Sequence, residues 1–331
     1  MMGQMKPEST AYFETVLFPL IQQKHGDLMD QLSLVALGSV GLGNDDGLSD
    51  LEAAVYLPDP LWQAKGFPLQ VDLDRCLVET NPWRQAGSIV SVYPLSWLLD
   101  GQGEKLLSGG SVNWERLSFD SLHGLFVLHN QPVLHDPQDR LGRLRQATAP
   151  DRMPEGEWRR RLLAGLEAFV CDGMQELCRC VDRGHLLDAL VPYGDAVKAL
   201  LELGFLVSRS YYPYRKHLRW AFDRLPPPVA ALGPQLDALA AAGSWPERIS
   251  RMEALYRQYR ALIQAHALLP ELDFTQVDLL EMPLHDQAFD VARQLLRDPA
   301  WREKQAARRE KTVSLGYPPE ASRWTEWWRI C

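Results

Sequence analysis

The stretch Leu37-Gly38-Ser39-Val40-Gly41-Leu42-Gly43-Asn44-Asp45-Asp46-Gly47-Leu48-Ser49-Asp50-Leu51-Glu52 decides how the first half of this chain is read. It joins two short apolar runs, 32–37 and 51–57; the first is halted by Gly38 and the second by Pro58 and Pro60, a pattern of two strands around a glycine-rich loop. At the end of the first strand, Gly38 and Ser39 are small enough for backbone amides and a hydroxyl to approach a phosphate without interference from a Cβ. Asp50 and Glu52 lie two apart on the second strand, so strand alternation predicts that both carboxylates share one face. Such a face suits Mg²⁺, which is usually held by one or two carboxylates together with substrate phosphates. The segment predicts a phosphate seat at Gly38 and Ser39 and a metal face at Asp50 and Glu52.

Outward from this loop, Ser9 is placed to cap a helix whose apolar positions Phe13, Val16, Leu17, Leu20 and Ile21 recur at helical spacing to Gly26. Residues 69–79 mix apolar and acidic side chains without clean alternation, which favours helix over strand. A strand follows over 88–93, then Pro94 and a short helix through Trp97 and Leu98, a loop over 101–110, an amphipathic stretch to Leu128 and an edge-like strand over 132–135. From Trp158 onward the period is helical, over 186–212, 248–269 and 289–311, with breaks at 226–228 and 243–246 and no internal repeat. The expected architecture is an α/β N-terminal domain over 1–145, a small mixed sheet with helices, followed by an all-α helical bundle over 146–331.

With 331 residues, 46% of them apolar and 24% charged, the composition is that of an ordinary globular protein of two domains. A net charge of -8 provides no global field for a polyanion, so there is no strong nucleic-acid signal. The first ten residues lack the pattern of a signal peptide, and no run approaches the roughly 20 apolar residues of a membrane span; a cytoplasmic location is expected. Cys76, Cys171, Cys178, Cys180 and Cys331 are expected as free thiols. The group Cys171, Cys178, Cys180 and His185 lacks paired Cys-x-x-Cys spacing and reads as helix positions rather than zinc ligands.

Gly38-Ser39, a gap of ten residues and then Asp50-Leu51-Glu52 resemble the hallmark of the nucleotidyltransferase superfamily, which aminoglycoside nucleotidyltransferases and DNA polymerase β share. A closer resemblance points to uncharacterised bacterial nucleotidyltransferase-like proteins with a C-terminal helical domain of unknown function. It rests on 41–49, on Val133-Leu134-His135-Asp136-Pro137, and on Ser210-Tyr211-Tyr212-Pro213-Tyr214-Arg215-Lys216-His217-Leu218, which is similar to that family's Tyr-x-Pro-Tyr-x-Lys-Trp stretch. The resemblance implies Mg²⁺-dependent transfer of a nucleoside monophosphate from an NTP, with ATP the expected co-substrate, to a hydroxyl of an unidentified small-molecule or protein acceptor.

Active members of the superfamily carry a third carboxylate on a later strand; 88–93 has no acid, and Asp72, flanked by Val71 and Leu73, is the candidate for the missing base if its segment is extended. Arg215 and Lys216 are candidates to clamp the triphosphate from the helical domain. Tyr211, Tyr212 and Tyr214 read as packing aromatics; His123, His129 and His135 as scattered; Trp324, Trp327 and Trp328 as covering apolar surface. Two other readings stand beside the enzyme. One is a catalytically degenerate nucleotide-binding or interaction module, motivated by the missing carboxylate. The other is an antitoxin-type nucleotidyltransferase paired with a HEPN partner, for which the Arg179-x5-His185 spacing is the only internal hint.

Overall fold

The computed structural model describes residues 5–46, 48–80, 88–118, 120–272, 274, 278–280 and 284–296. It is mixed α/β, with one four-stranded sheet and many helices. Two compact units emerge, Met1–Pro154 with Ser208–Gly233, and Glu155–Val207 with Pro234–Cys331. The first unit thus includes a segment from late in the sequence.

In the first unit the sheet runs in the order β3-β2-β1-β4, with β1 at Ser33–Leu37, β2 at Glu52–Leu57, β3 at Ile89–Pro94 and β4 at Val133–His135. β1 is antiparallel to both β2 and β4, and β2 is parallel to β3. A parallel pair needs a long crossover, and the helical pieces Asp59–Leu61, Trp62–Gly66 and Phe67–Thr80 supply it. Strand alternation divides the sheet into two faces. Leu34 and Ala36, Ala53 and Val55, and Val90 and Val92 point into a closed core with Leu17, Ile21, Leu69 and Leu73 from the helices before β1 and before β3. The edge of β3 is blunted by Gln70, whose amide donates to the Val90 carbonyl and accepts from the Val92 amide, each at 2.8 Å.

Two sequence expectations change here, and a third, the helix over 69–79, is met. Ser9 does not cap the first helix: Pro7, with its preset φ, opens Pro7–Tyr12, and Ser9 is buried inside it. Residues 101–110 are not all loop, since Gly103–Leu107 is a short helix; Gly103 lies so close to the Leu95 carbonyl that a Cβ there would collide with it. The segment 69–79 is helical, within Phe67–Thr80, with Leu69, Leu73, Cys76 and Leu77 buried on one stripe.

The regular elements among the second unit's described residues are all helices: Glu155–Glu167, Ala168–Gln175, Glu176–Asp182, Leu190–Val207, Gly233–Ala241, Trp245–Ala265 and Leu284–Leu295. Phe169 stacks on Tyr256 with centroids 5.8 Å apart, and Gly173 packs so closely on Ala196 that a Cβ there would approach the Ala196 side chain to 2.7 Å. Trp245–Ala265 begins at a Ser244 cap, the break read in the sequence at 243–246. Cys171, Cys178 and Cys180 lie half-buried along one helical stretch, and none of the three is in a disulfide. Trp324, Trp327, Trp328 and Cys331 lie outside the described residues. No helix among the described residues is long and apolar enough to cross a membrane.

Candidate functional site

Gly38 turns the chain from β1 into the five-residue helix Gly38–Leu42 with φ at +60°, a conformation that glycine adopts without a Cβ penalty. A Cβ at this position would also collide with the Glu52 carboxylate, so the glycine makes room for that side chain. The helix ends at Gly43, also left-handed with φ at 67°. Beyond it the Lys6 ammonium donates to the Asp45 carbonyl and pairs with its carboxylate, both at 3.0 Å, while Asp46 accepts from the Leu48 amide at 2.9 Å in an Asx turn. Ser39 was expected as a hydroxyl in an open turn; it is instead a buried residue of the helix, because the helix starts at Gly38.

Glu52 opens β2 opposite Leu37, but Asp50 precedes the strand. Strand alternation therefore does not set the relation of the two carboxylates, as the sequence reading assumed. They are close enough to interact: burial holds the Glu52 carboxyl above its ordinary pKa, the Lys216 ammonium opposes that shift and the Asp50 charge adds to it. Glu52 and Lys216 line one cavity of about 310 Å³ together with Gly38, Tyr93, Phe126 and Gln131. It opens on the face of the sheet opposite the closed core.

Lys216 arrives here because segment 208–222 is tied into the first unit. Tyr211 donates its hydroxyl to the Thr148 carbonyl at 2.7 Å and packs on the His129 ring, and both Tyr211 and Tyr212 are buried. Tyr214 differs: it is 44% exposed, lines the cavity and contacts His123 with centroids 5.6 Å apart. Arg215 is not among the lining residues and leans on the Tyr214 ring instead. His217 lines the cavity with its Nδ1 3.5 Å from the Asn44 amide, and its Nε2 is buried without a partner. Burial, with Lys216 and His123 adding to it, pushes the His217 imidazole down to about 4, which keeps it neutral near pH 7.

Asp72 does not join this group. It sits on the helix Phe67–Thr80, where Lys24 and His25 bind its carboxylate at 2.7 and 3.0 Å and hold its pKa below the usual range. The expected third carboxylate on a strand is thus a helix residue in a surface ion-pair cluster, since the burial stripe of that helix turns Asp72 away from the sheet. β3 itself contributes Ile89, Ser91 and Tyr93 to the cavity and no acid. His123, read from the sequence as scattered, lines the cavity, whereas His129 and His135 bond to Thr148 and the Met29 carbonyl. Gln131 was not foreseen: its amide donates to the Gly38 carbonyl at 3.3 Å and its Oε1 is buried without a partner. No local pattern marks these residues, because the antiparallel pairing of β1 and β4 and the helix before β4 bring them to the loop.

Among the described residues there is no group of three or more His, Cys, Asp or Glu side chains with metal-binding geometry. Glu52 is half-buried, and the charges of Lys216 and Asp50 both act on its carboxyl.

Comparison with known proteins adds the following. A family model described as a domain of unknown function (DUF4037) matches residues 114–220, less than half of the chain and outside the glycine loop. No curated protein matches. Among solved structures, a nucleotidyltransferase-like protein from Exiguobacterium sibiricum 255-15 is 14% identical, covering 76% of this chain and 74% of that one, with a TM-score of 0.35.

Proposed function

We propose that the first unit binds a nucleoside triphosphate with Mg²⁺ and transfers its nucleoside monophosphate to a hydroxyl acceptor. The observation that carries this reading is the convergence, in one cavity, of a left-handed glycine turn, the Glu52 carboxylate and the Lys216 ammonium. In nucleotidyl transfer a protein has little covalent work to do; it aligns the groups and balances charge that develops on the phosphates. Asp50 and Glu52 would hold Mg²⁺, which supplies charge neutralisation at the phosphate oxygens when bound. The Lys216 ammonium would face the β- and γ-phosphates, and its proximity to Glu52 supports a role as the counter-charge that fills the site when phosphate is absent. In the transfer, the acceptor oxygen bonds to the α-phosphorus, the bond to the α–β bridging oxygen breaks, pyrophosphate leaves with that electron pair, and the hydroxyl proton passes to water.

The test is calorimetric titration of Mg-ATP into the full chain and into Asp50→Asn/Glu52→Gln. Metal-dependent binding in the former and its loss in the latter, with unchanged helix content, are the expected results; equal binding in both removes the metal face. A second reading, a nucleotide-binding module without turnover, is favoured by one observation: among the described residues that line the cavity Glu52 is the only carboxylate, and β3 brings none. Release of pyrophosphate from Mg-ATP separates the two.

A further inference from the structure

Next to the Glu52 cavity lies a second chamber of about 350 Å³ on the same face of the sheet. The two share Leu37, His123 and Val127 in their linings, so one wall separates the carboxylate from the chamber. The chamber is apolar and aromatic, with Val35, Tyr56, Trp97, Leu98, Leu128 and Leu141 around it. No Lys or Arg is among the described residues that line it, and Asp100 is its only carboxylate. Asp100 already accepts from the Ser118 amide at 2.9 Å.

Two further observations indicate that the space serves something outside the chain. Gly124 lines the chamber from within the helix Asp120–Asn130, where a glycine costs roughly 1 kcal/mol of helix stability against alanine. Gly124 is exposed, and a Cβ built there meets nothing within 4 Å beyond its own helix backbone and chain neighbours, so close packing against other elements does not require the glycine. At the rim, Leu99, Asp100 and Gly101 are consecutive left-handed residues with φ of 57°, 54° and 86°, and a left-handed leucine is a strained conformation of the kind that clusters at binding sites. Trp97 stands beside it 64% exposed, its ring 5.5 Å from that of Tyr93, which lines the Glu52 cavity. A row of rings thus runs from one cavity to the rim of the other.

We propose that this chamber binds a small uncharged molecule with a flat aromatic body and a hydroxyl group, stacked between Trp97 and the apolar helix face, and that its hydroxyl points past His123 toward Glu52 as the acceptor of the transfer. The acceptor role rests on the nucleotidyl-transfer reading, whereas the binding does not. An aromatic body follows from the walls, and the volume lies within the range of small-molecule sites. An anion is disfavoured because the lining offers a carboxylate and no cation.

The experiment uses the full chain without nucleotide and 2-naphthol as the probe, with binding read by calorimetry and by ligand-observed NMR. Expected are saturable binding of 2-naphthol, binding of naphthalene-2-sulfonate at least about tenfold weaker, and loss of about tenfold or more for 2-naphthol in Gly124→Leu, which fills the chamber from the helix. Gly124→Ala should raise the unfolding temperature while weakening the probe less. Trp97→Ala, a change at an exposed side chain, should weaken 2-naphthol severalfold and decides the matter if Gly124→Leu does not fold. The proposal is overturned if 2-naphthol does not bind, if the sulfonate binds as well, or if 2-naphthol binds Trp97→Ala and every folded Gly124 variant as it binds the native chain. Because no nucleotide is present, these failures are distinct from a failure of Mg-ATP titration, which would remove the acceptor role and leave the chamber.

Discussion

The two faces of the four-stranded sheet carry out different tasks with neighbouring residues of the same strands. One face, with Leu34, Ala36, Val55 and Val92, is sealed by helices. The other, with Leu37, Glu52, Ser91 and Tyr93, borders cavities and carries a carboxylate at its edge. Because side chains alternate, one run of sequence such as β2 serves packing at Ala53 and Val55 and lines a cavity with the Glu52 carboxylate. Local residue type therefore says little about which face is which; the covering helices decide.

The sharpest way to break this contrast is from the closed face. Leu34→Ala removes a wholly buried side chain where the surroundings are packed on every side, and should lower stability by about 2–5 kcal/mol in denaturant unfolding. The same measurement on Lys216→Met, on the open face, should show almost no loss of stability. What Lys216→Met should lose is Mg-ATP affinity, by roughly ten- to a hundredfold, if a charge-assisted contact of about 1.5–3 kcal/mol is removed while the stem is kept. An unchanged affinity would detach Lys216 from the phosphates and leave the carboxylates as the only support for the site.

The smallest effect sharpens the contrast through pH. With His217 pushed down to about 4, the unfolded chain takes up a proton below the ordinary histidine pKa of about 6.5 that the folded chain refuses, so stability should fall as pH drops from 6.5 toward 4. The Glu52 shift has the opposite sign: its raised pKa lets the folded chain hold a proton longer, which favours folding toward acid pH. Wild type minus His217→Gln in a pH series of unfolding midpoints isolates the first term. A flat difference across that window would mean that the imidazole reaches water.

Several parts of this molecule were legible in the linear chain. The strands around the glycine loop, the helix before β1 and the helical second unit follow from apolar period and from glycine and proline punctuation, which act within a few residues. The site was legible only in part. Gly38 and Glu52 meet, yet Ser39 is buried in a short helix where an open turn was expected, and Asp50 falls before the strand. Asp72 shows the limit of reading flanking residues: Val71 and Leu73 beside it suggested a strand, and the i, i+4, i+7 stripe of Leu69, Leu73 and Cys76 prevailed because it had a sheet to bury against.

By itself, then, the sequence determined a glycine that ends one strand, a carboxylate at the start of the next, and a helical remainder, because backbone sterics and hydrophobic period are local properties of the chain. Only the tertiary structure decided that Lys216 and His217, more than 160 residues after Glu52, belong to the same compact unit and the same cavity. Their placement depends on Tyr211 reaching the Thr148 carbonyl and on two buried tyrosines. Contacts between residues so far apart in sequence have no period and no spacing to read; they exist because burying those rings and satisfying those polar groups closes the loop between them.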